Sequence, residues 1–269
     1  MGSGFFAMTT PAHKILFVSH ASGSGGAEQS LAELVAELPR DRFEVSVVLP
    51  EPGPLADRLS AAGMPFQHLP FRRMKRLPPL EGLTCFVRNL FRFVPGLASL
   101  IRSGGVSLVH ANSNTAQLFA GIAARRCRIP SVWHCRDLAP LGLERWLLKR
   151  SATRVLAISS AVRSHLIASG IPETRITLLP NGINLEKFRE EPGRCAFRKE
   201  HGLWPYCFLV VMVGQLVPWK RHDLFLRMAT SLVTSVPDVR FVIAGDDAYG
   251  DHPACLQSLQ SMARQSGIG

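Results

Sequence analysis

A glycine-rich stretch follows the first apolar run of the chain. The apolar run covers Lys14–Ser19, and residues 20–28 after it read HASGSGGAE, with Gly25 and Gly26 side by side. Glycines between a strand and a helix expose backbone N–H groups, and the positive helix end attracts an anion. The dinucleotide-binding spacing fails, because Glu28 stands where its third glycine belongs. The stretch therefore predicts either a phosphate-approach loop or a tight turn that uses glycine for backbone conformation alone.

Two histidines stand at the ends of later apolar runs. His110 ends the run Val106–His110, and His134 ends the run Ser131–His134. Ligands of parallel sheets bind beyond the carboxyl ends of the strands, so both side chains could line one cleft. The polar residues that follow them are Asn112, Ser113, Arg136 and Asp137. A histidine in such a place hydrogen-bonds a sugar hydroxyl or stabilises charge near a reacting carbon; the alternative is a structural histidine.

A second glycine-containing loop lies in the last third of the chain. In the stretch VGQLVPWKR, Gly214 and Gln215 follow an apolar run, and Lys220 and Arg221 precede a helical pattern. Cations at a helix start are unfavourable unless an anion lies nearby, and a diphosphate is the natural candidate. The alternative is a pair of solvated surface cations. Gly245, which two aspartates follow, ends the next apolar run and is a further loop candidate.

Short apolar runs alternate with helical patterns over the first part of the chain, which is typical of parallel strands joined by helices that cover both sheet faces. The predicted strands are Lys14–Ser19, Phe43–Leu49, Pro65–Leu69, Val106–His110, Ser131–His134 and Arg154–Ile158. The predicted helices are Gly26–Leu38, Leu55–Ala62, Thr115–Arg125, Leu143–Lys149 and Ala161–Ser169. We therefore predict an α/β fold with a complete Rossmann-like domain over residues 14–180, after a loose tail over residues 1–13.

The alternation then pauses and restarts. Turn-forming residues cluster over Leu179–Pro192, so we predict an interdomain linker over residues 181–192. The strands predicted beyond it are Cys207–Val213 and Val239–Ala244, and the helices are Arg221–Ser235 and His252–Gln265. Two strands cannot cover their own faces or complete a doubly wound core. Residues 193–269 are therefore predicted to form part of a second Rossmann-like domain.

The charge of the chain is distributed unevenly. Its net charge is +11; residues 1–185 carry 21 Lys and Arg against 11 Asp and Glu, whereas residues 186–269 carry 10 against 9. An anionic membrane, a phosphorylated substrate or a nucleic acid would each suit a basic surface, and so would simple solubility. No nucleic-acid-binding motif accompanies the basic residues, so nucleic acid is not an expected partner.

Basic residues are densest between positions 70 and 105, where seven of them accompany a single acid, Glu81. The basic cluster at the start comprises Arg72, Arg73, Lys75 and Arg76, and the apolar positions after it are Phe86, Val87, Leu90, Phe91 and Phe93. A helix with this pattern either lies on an anionic membrane surface or packs its apolar face on the sheet and leaves its arginines in water.

The composition is that of a globular chain, with 46% hydrophobic and 19% charged residues. Six cysteines include no Cys-x-x-Cys pair, so we expect reduced thiols and neither disulfides nor a zinc site. No apolar run of about 18 residues predicts a membrane-spanning helix, and the first residues lack the pattern of a secretory signal. We expect a cytoplasmic protein, with peripheral contact to the inner membrane face as an alternative.

Several segments together resemble family-4 glycosyltransferases. They are Gly25–Glu28, Trp133–Asp137, Leu179–Asn184 with Phe188, Val213–Lys220 and Val242–Asp246. In that order they look like the family's first glycine loop, the strand end whose histidine faces the donor sugar, the interdomain segment written PNGVD…F, the VGRL…K motif, and the next strand with its glycine. The most specific parts are the interdomain segment, which holds Asn181 and Gly182, and the segment that ends at Lys220.

The resemblance implies a GT-B fold and the transfer of a sugar, with retention of anomeric configuration, from a nucleoside-diphosphate sugar to a hydroxyl acceptor. The acceptor would be a glycan or a lipid-linked or phosphorylated molecule, as in the synthesis of cell-envelope polysaccharide or glycolipid. The implied catalytic residues are His134 and Lys220. The implied donor- or phosphate-binding residues are Gly25, Gly26, Gly214, Gln215, Lys220, Arg221 and Gly245, and the acceptor-side residues are Glu28, His110, Asn112 and Arg136. No metal or cofactor is implied.

Three departures from the family pattern stand out. Gln215 occupies the position of an arginine that, with the lysine, grips the diphosphate, and Asn184 replaces an aspartate. The family's late pair of glutamates, which holds the donor's sugar and ribose, would lie beyond Gly269, so we expect a fragment. The alternatives are a GT-B nucleotide-sugar epimerase, because that class shares the fold, and an inactive nucleotide-sugar-binding module derived from a transferase.

Overall fold

The computed structural model describes residues 13–72, 79–142, 144–189, 195–247 and 250–268. The chain divides into two compact units, Met1–Ile183 and Asn184–Gly269. Most of the predicted tail, the basic residues Arg73, Lys75 and Arg76, and part of the predicted linker lie outside the described residues.

The first unit is built on a seven-stranded parallel sheet. Its strands are β1 (His13–Val18), β2 (Phe43–Leu49), β3 (Phe66–His68), β4 (Leu108–Ala111), β5 (Ser131–Cys135), β6 (Arg154–Ala157) and β7 (Ile176–Leu178). They lie in the order β3-β2-β1-β4-β5-β6-β7. The order reverses between β1 and β4, and this kind of reversal opens a crevice beyond the carboxyl ends of the strands.

Helices cover both faces of this sheet. They are α1 (Gly26–Glu37), α2 (Pro54–Ala61), α3 (Pro79–Arg88), α4 (Val94–Ser103), α5 (Asn114–Arg126), α6 (Arg145–Ser151) and α7 (Ser160–Ala168). Side chains alternate along β1: Phe17 joins the core beneath α1 and α2, and Leu16 joins the core beneath α4 to α7. Each fully buried leucine or phenylalanine contributes about 1.5–3 kcal/mol, so the two cores hold β1 and its neighbours in place.

The structure corrects some boundaries of the sequence prediction. His13 belongs to β1 and not to a loose tail, because it pairs with Phe43 in the parallel ladder. The short strand β7 has no counterpart in the prediction; it has three residues and, in the described part of the chain, lies at the sheet edge beside β6. The predicted helix at 143–149 lies two residues later, over Arg145–Ser151. The α/β architecture itself is confirmed.

The segment between β3 and β4 forms α3, a π-helical turn over Asn89–Phe93, and α4. Asn89 is 2% exposed, and its side chain binds the backbone of Arg72 in both directions: Oδ1 accepts from the N–H at 3.0 Å, and Nδ2 donates to the carbonyl at 2.8 Å. Of the apolar positions, Phe93 is buried, whereas Val87 and Phe91 are exposed. The segment therefore packs one apolar face on the core and leaves a second apolar strip outside.

The second unit contains α8 (Cys195–Glu200), β8 (Phe208–Val213), α9 (His222–Leu232), β9 (Val239–Ala244) and α10 (Ala254–Gln265). Strands β8 and β9 pair in parallel, in register from Phe208–Val239 to Val213–Ala244. Several apolar side chains of β8 are exposed, with Phe208 at 66% and Val213 at 79%. No described helix combines the length and the apolar character that crossing a membrane requires.

Candidate functional site

Polar side chains gather at the carboxyl edge of the first unit's sheet. All strands are parallel, so the ends of β1, β4 and β5 open onto the same edge. The buried polar residues at or just beyond these strand ends, and in the first turn of α1, are Ser19, Ser22, Glu28, His110, Asn112, Ser113 and His134. Burying so many polar groups is unfavourable unless they bind one another or a ligand.

The two histidines form a buried pair. His110 is 6% exposed and His134 is 3% exposed, and Nε2 of His110 lies 3.2 Å from Nδ1 of His134. Nη2 of Arg136 also lies 3.2 Å from Nδ1 of His134. A guanidinium can only donate, so Nδ1 of His134 accepts and the proton of this ring is assigned to Nε2. Nε2 of His134 is buried and meets no partner among the described groups, so its N–H is an unsatisfied donor at the strand ends.

Both imidazoles are held in the neutral form. Burial, reinforced by the charge of Arg136, lowers the pKa of His110 to about 3. Burial, with the charge of Arg136 and the proximity of His110, lowers the pKa of His134 to about 2. The ring of His110 also stacks on Phe17 with centroids 4.6 Å apart. The pair therefore offers neutral hydrogen-bonding groups at neutral pH and is not a proton-transfer couple.

Arg136 connects the strand ends. Its Nε donates to Oδ1 of Asn112 at 3.0 Å, and its Nη1 donates to Oδ1 of Asn181 at 2.8 Å. Burial lowers the pKa of Arg136 to about 10, and the neighbouring carboxylate of Glu28 opposes that shift. The guanidinium is still charged at neutral pH, and it fixes His134, Asn112 and Asn181 relative to one another.

The first turn of α1 adjoins this network. Nδ2 of Asn112 donates to the carbonyl of Ala27 at 3.0 Å, and Oγ of Ser30 donates to Oδ1 of Asn181 at 3.2 Å. Gly25 caps the helix with φ −66° and ψ 167°, a conformation open to any residue, and a Cβ on Gly26 would meet nothing within 4 Å. Backbone conformation and packing therefore do not require glycine at these two positions, and their role in the approach of a phosphate stays a prediction.

In the second unit, the two predicted cations differ in their surroundings. Arg221 donates from Nε and Nη2 to the two carboxylate oxygens of Asp223, both at 2.9 Å. Lys220 is exposed, and its ammonium group has no partner in the part of the chain that the structure describes. The structure therefore leaves Lys220 available to an anion, whereas Arg221 is already engaged.

The predicted glycines of the second unit also differ. A Cβ on Gly245 would stand 1.8 Å from the carbonyl oxygen of Gly214, so packing alone requires glycine at 245. A Cβ on Gly214 would make only ordinary contacts, 3.9 Å from Cδ of Lys220 and 4.0 Å from Nε2 of His222. At Gly182, which belongs to the first unit, nothing lies within 4 Å of such a Cβ. Gly214 thus borders a space that Lys220 and His222 share.

The structure brings together eight candidates of the first unit: Gly25, Gly26, Glu28, His110, Asn112, His134, Arg136 and Asn181. Sequence reasoning missed Ser30 and His222 as candidates. Ser30 lies one helical turn after Gly26 on α1, and that spacing was the available signal. His222 carries no signal in the sequence, because the burial of both ring nitrogens appears only in the folded unit.

A doubly wound parallel sheet with polar groups at its strand-order reversal defines a class of α/β proteins that bind ligands at the carboxyl edge. The family model for Glycosyltransferase Family 4 matches residues 24–187. The chain belongs to glycosyltransferase family 4.

Three known proteins illustrate the relationship. An Escherichia coli UDP-Gal:alpha-D-GlcNAc-diphosphoundecaprenol alpha-1,3-galactosyltransferase is 26% identical over 240 residues, which cover 83% of this chain and 59% of that protein. A Mycolicibacterium smegmatis GDP-mannose-dependent alpha-(1-6)-phosphatidylinositol monomannoside mannosyltransferase is 29% identical over 137 residues, covering 51% and 34%. The crystal structure of Anabaena HepE in complex with UDP-glucose superposes with a TM-score of 0.79 at 22% identity, covering 95% of this chain and 66% of HepE. The chain thus spans less than two thirds of each.

Proposed function

We propose that the protein transfers a glycosyl unit from a nucleoside-diphosphate sugar to an acceptor hydroxyl, with retention of anomeric configuration. The observation that carries the proposal is the buried Nε2–H of His134, which no described group satisfies, at the strand-order reversal of a family-4 chain. HepE, which shares the fold, has been crystallised with UDP-glucose. A neutral imidazole N–H suits a sugar hydroxyl, because both partners are uncharged and the bond persists across physiological pH.

Each unit would contribute different chemistry. In the first unit, His134 would donate to the transferred sugar, and Arg136 would hold that imidazole in its donor tautomer through the contact at Nδ1. In the second unit, the ammonium of Lys220 would stabilise the negative charge that grows on the diphosphate as its bond to the sugar breaks. Glu28, Asn112 and Asn181 would order the acceptor side through their contacts with Arg136.

The experiment that tests the proposal measures turnover. A panel of UDP- and GDP-sugars is combined with glycan and lipid-linked acceptors, and kcat and KM are measured for the native chain, His134→Phe and His68→Phe. His134→Phe keeps an aromatic ring but removes the donor, so we expect kcat to fall by about 100-fold. His68 is exposed on β3 and serves as the matched control. Unchanged kcat in His134→Phe would refute the assigned role.

Metal-independence remains a prediction of the family resemblance. EDTA is added to the same assay, and the rate is expected to stay the same. A rate that falls with EDTA and recovers with Mg²⁺ or Mn²⁺ would contradict this part of the proposal.

The same assay distinguishes glycosyl transfer from two alternative functions. A nucleotide-sugar epimerase would convert the donor without an acceptor, so an epimerised nucleotide sugar in the acceptor-free control would favour that class over transfer. An inactive binding module would bind UDP or GDP by calorimetry but yield no product with any acceptor. The family match and the galactosyl- and mannosyltransferase relatives favour transfer.

The exposed strip of α3 and the π-helical turn supports an anionic membrane as a partner. Leu80, Leu83, Val87 and Phe91 recur at helical spacing and are 75%, 58%, 41% and 71% exposed. Arg88 and Arg92 line the same shallow groove as Leu83, Val87 and Phe91. Apolar side chains flanked by arginines suit the interface of anionic lipids, and the E. coli relative is named for a diphosphoundecaprenol-linked acceptor.

Vesicle sedimentation tests this partner. The chain is expected to sediment with phosphatidylglycerol vesicles and not with phosphatidylcholine vesicles, and salt should weaken the binding because exposed charges are screened. Phe91→Asp places a carboxylate in the strip and should reduce the bound fraction several-fold. Ile167→Asp, at a 37% exposed position on α7, is the control. Equal binding by both variants would show that the strip does not face lipid.

A further inference from the structure

His222 is a buried histidine to which the proposed reaction assigns no role. It is the first residue of α9, its side chain is 2% exposed, and neither Nδ1 nor Nε2 meets a hydrogen-bond partner within the described parts of the chain. Native proteins pair nearly all buried polar side-chain atoms, with protein, water or ligand. An imidazole with two unsatisfied nitrogens at the positive end of a helix therefore calls for a partner from outside the described residues.

The surroundings of His222 indicate the chemical class of that partner. Its Nε2 lies 4.0 Å from the place of a Cβ on Gly214, and Cδ of Lys220 lies 3.9 Å from the same point. The backbone at Gly214 therefore lies beside both a cation-bearing side chain and an imidazole. The Lys220 ammonium has no partner among the described residues. These features favour an anionic ligand with oxygen acceptors.

Two acidic residues lie near His222, and one of them is already paired with a cation. Asp223 is paired with Arg221 through two hydrogen bonds at 2.9 Å. Asp251 and His252 border the cavity of about 640 Å³ that His222 also lines. Among the described residues, no group of three or more histidine, cysteine or acidic side chains is arranged to hold a metal ion, so the ligand set does not favour a metal at His222.

We propose that His222 donates a hydrogen bond from Nε2 to the diphosphate of the nucleotide sugar, beside Lys220. This inference rests on the proposed function and adds a residue to its donor side. The ring would bind a phosphate oxygen of the same diphosphate whose charge the Lys220 ammonium stabilises. His222 would compensate in part for Gln215, which stands where the family commonly has an arginine. The bond strengthens as charge accumulates on the leaving diphosphate, so His222 acts on the chemical step as well as on binding.

Calorimetry with inorganic pyrophosphate and with UDP tests this role on the whole chain. His222→Phe preserves much of the ring volume and removes both nitrogens, so we expect the dissociation constant of pyrophosphate to rise about tenfold or more, as for loss of one hydrogen bond to a charged group. His222→Gln restores an N–H donor and should recover part of the affinity. His201→Phe, at an exposed position of the same unit, should bind as the native chain does.

The outcomes separate this inference from the proposed function. The role of His222 would be overturned if His222→Phe bound pyrophosphate with the same dissociation constant as the native chain. It would also be overturned if the native chain bound no pyrophosphate. Pyrophosphate binding that depends on His222, in a chain that transfers no sugar, would support the inference and defeat the proposed function.

A structural role would be recognised by its own signature. If His222 only bound a buried water, His222→Phe would lower the melting temperature and leave the dissociation constant unchanged. If His222→Phe does not fold, the role of His222 is tested in the native chain by ¹⁵N-detected spectra of its imidazole nitrogens. A shift of the His222 Nε2 resonance on saturation with pyrophosphate supports the proposal, and an unmoved resonance overturns it.

Discussion

His110 and His134 show how a few side chains determine the character of the site. Their nitrogens face each other and Arg136, and burial keeps both rings neutral. A charged imidazole at this place would repel the guanidinium that organises the strand ends. The neutral pair therefore keeps the Arg136 network intact, and it fixes the proton of His134 on the nitrogen that faces away from it.

This neutrality predicts how stability depends on pH. The folded-state pKa values of about 3 and about 2 lie below the ordinary value of 6.5. Below pH 6.5, the two histidines therefore bind protons in the unfolded chain but not in the folded chain. The free energy of unfolding decreases as pH falls from 6.5 towards 3. Each histidine contributes a slope of up to about 1.4 kcal/mol per pH unit in that window.

Urea denaturation at pH 7.5, 6.5, 5.5 and 5.0 measures this slope. His110→Phe should remove the contribution of one histidine to the slope of unfolding free energy against pH. The exposed control His68→Phe should leave that slope unchanged. Identical slopes in the native chain and His110→Phe would show that His110 is not neutral in the fold.

At the scale of single elements, Arg221 illustrates a local conflict. It precedes α9 with φ of 59° and ψ of 42°, a left-handed conformation that disfavours a residue with a side chain by roughly 1–2 kcal/mol. Its ion pair with Asp223 is open to solvent, and such a pair adds little to stability. We expect Arg221→Gly to leave the melting temperature of the chain unchanged or to raise it.

Arg227→Gly is the matched comparison for this prediction. Arg227 is exposed within α9, where glycine costs about 1 kcal/mol relative to good helix formers. Thermal unfolding of the two variants should therefore give shifts of different sign or size. If Arg221→Gly lowered the melting temperature as far as Arg227→Gly does, the ion pair would outweigh the backbone strain.

The elements also show what the sequence could predict. Long apolar runs such as Phe43–Leu49 and Val239–Ala244 were predicted with their observed bounds, because buried parallel strands have few alternatives. Strand β7 was missed, since three residues with two exposed side chains give no periodic signal. The π-helical turn was missed as well, because its geometry depends on Asn89 binding the backbone of Arg72.

The candidate site was only partly accessible from sequence. The strand ends at His110 and His134 follow from the topology rule for parallel sheets. The distances that make Arg136 a shared partner of His134, Asn112 and Asn181 depend on side-chain packing, which no spacing encodes. His222 could not be found for the same reason, because its isolation from hydrogen-bond partners is a property of the packed unit.

At the scale of the whole molecule, the two units differ in how completely they bury their sheets. In the first unit, β4 lies between β1 and β5, and Val109 and Ala111 are fully buried. In the second unit, β9 is the one strand that pairs with β8 among the described residues, and Phe208 and Val213 are exposed. Fewer buried contacts lower the free energy of local opening.

Native-state hydrogen exchange should therefore distinguish the two sheets. We expect the amides of β4 to exchange at least about 100-fold more slowly than those of β8, measured by mass spectrometry under conditions where the native state dominates. Comparable protection of β8 and β4 would indicate that the second unit is stabilised by contacts other than its own two-stranded sheet.

Gly245 restricts the sequences that this molecule could sample. An added methyl group there would overlap the carbonyl oxygen of Gly214 at 1.8 Å, so the exits of β8 and β9 would have to move apart before any other residue fitted. In a saturation library selected only for folded protein, the adjacent codons 244 and 246 should diversify while codon 245 keeps encoding glycine. Glycine would then be retained at position 245 because no larger residue fits there, and selection for catalysis would not be needed to explain it.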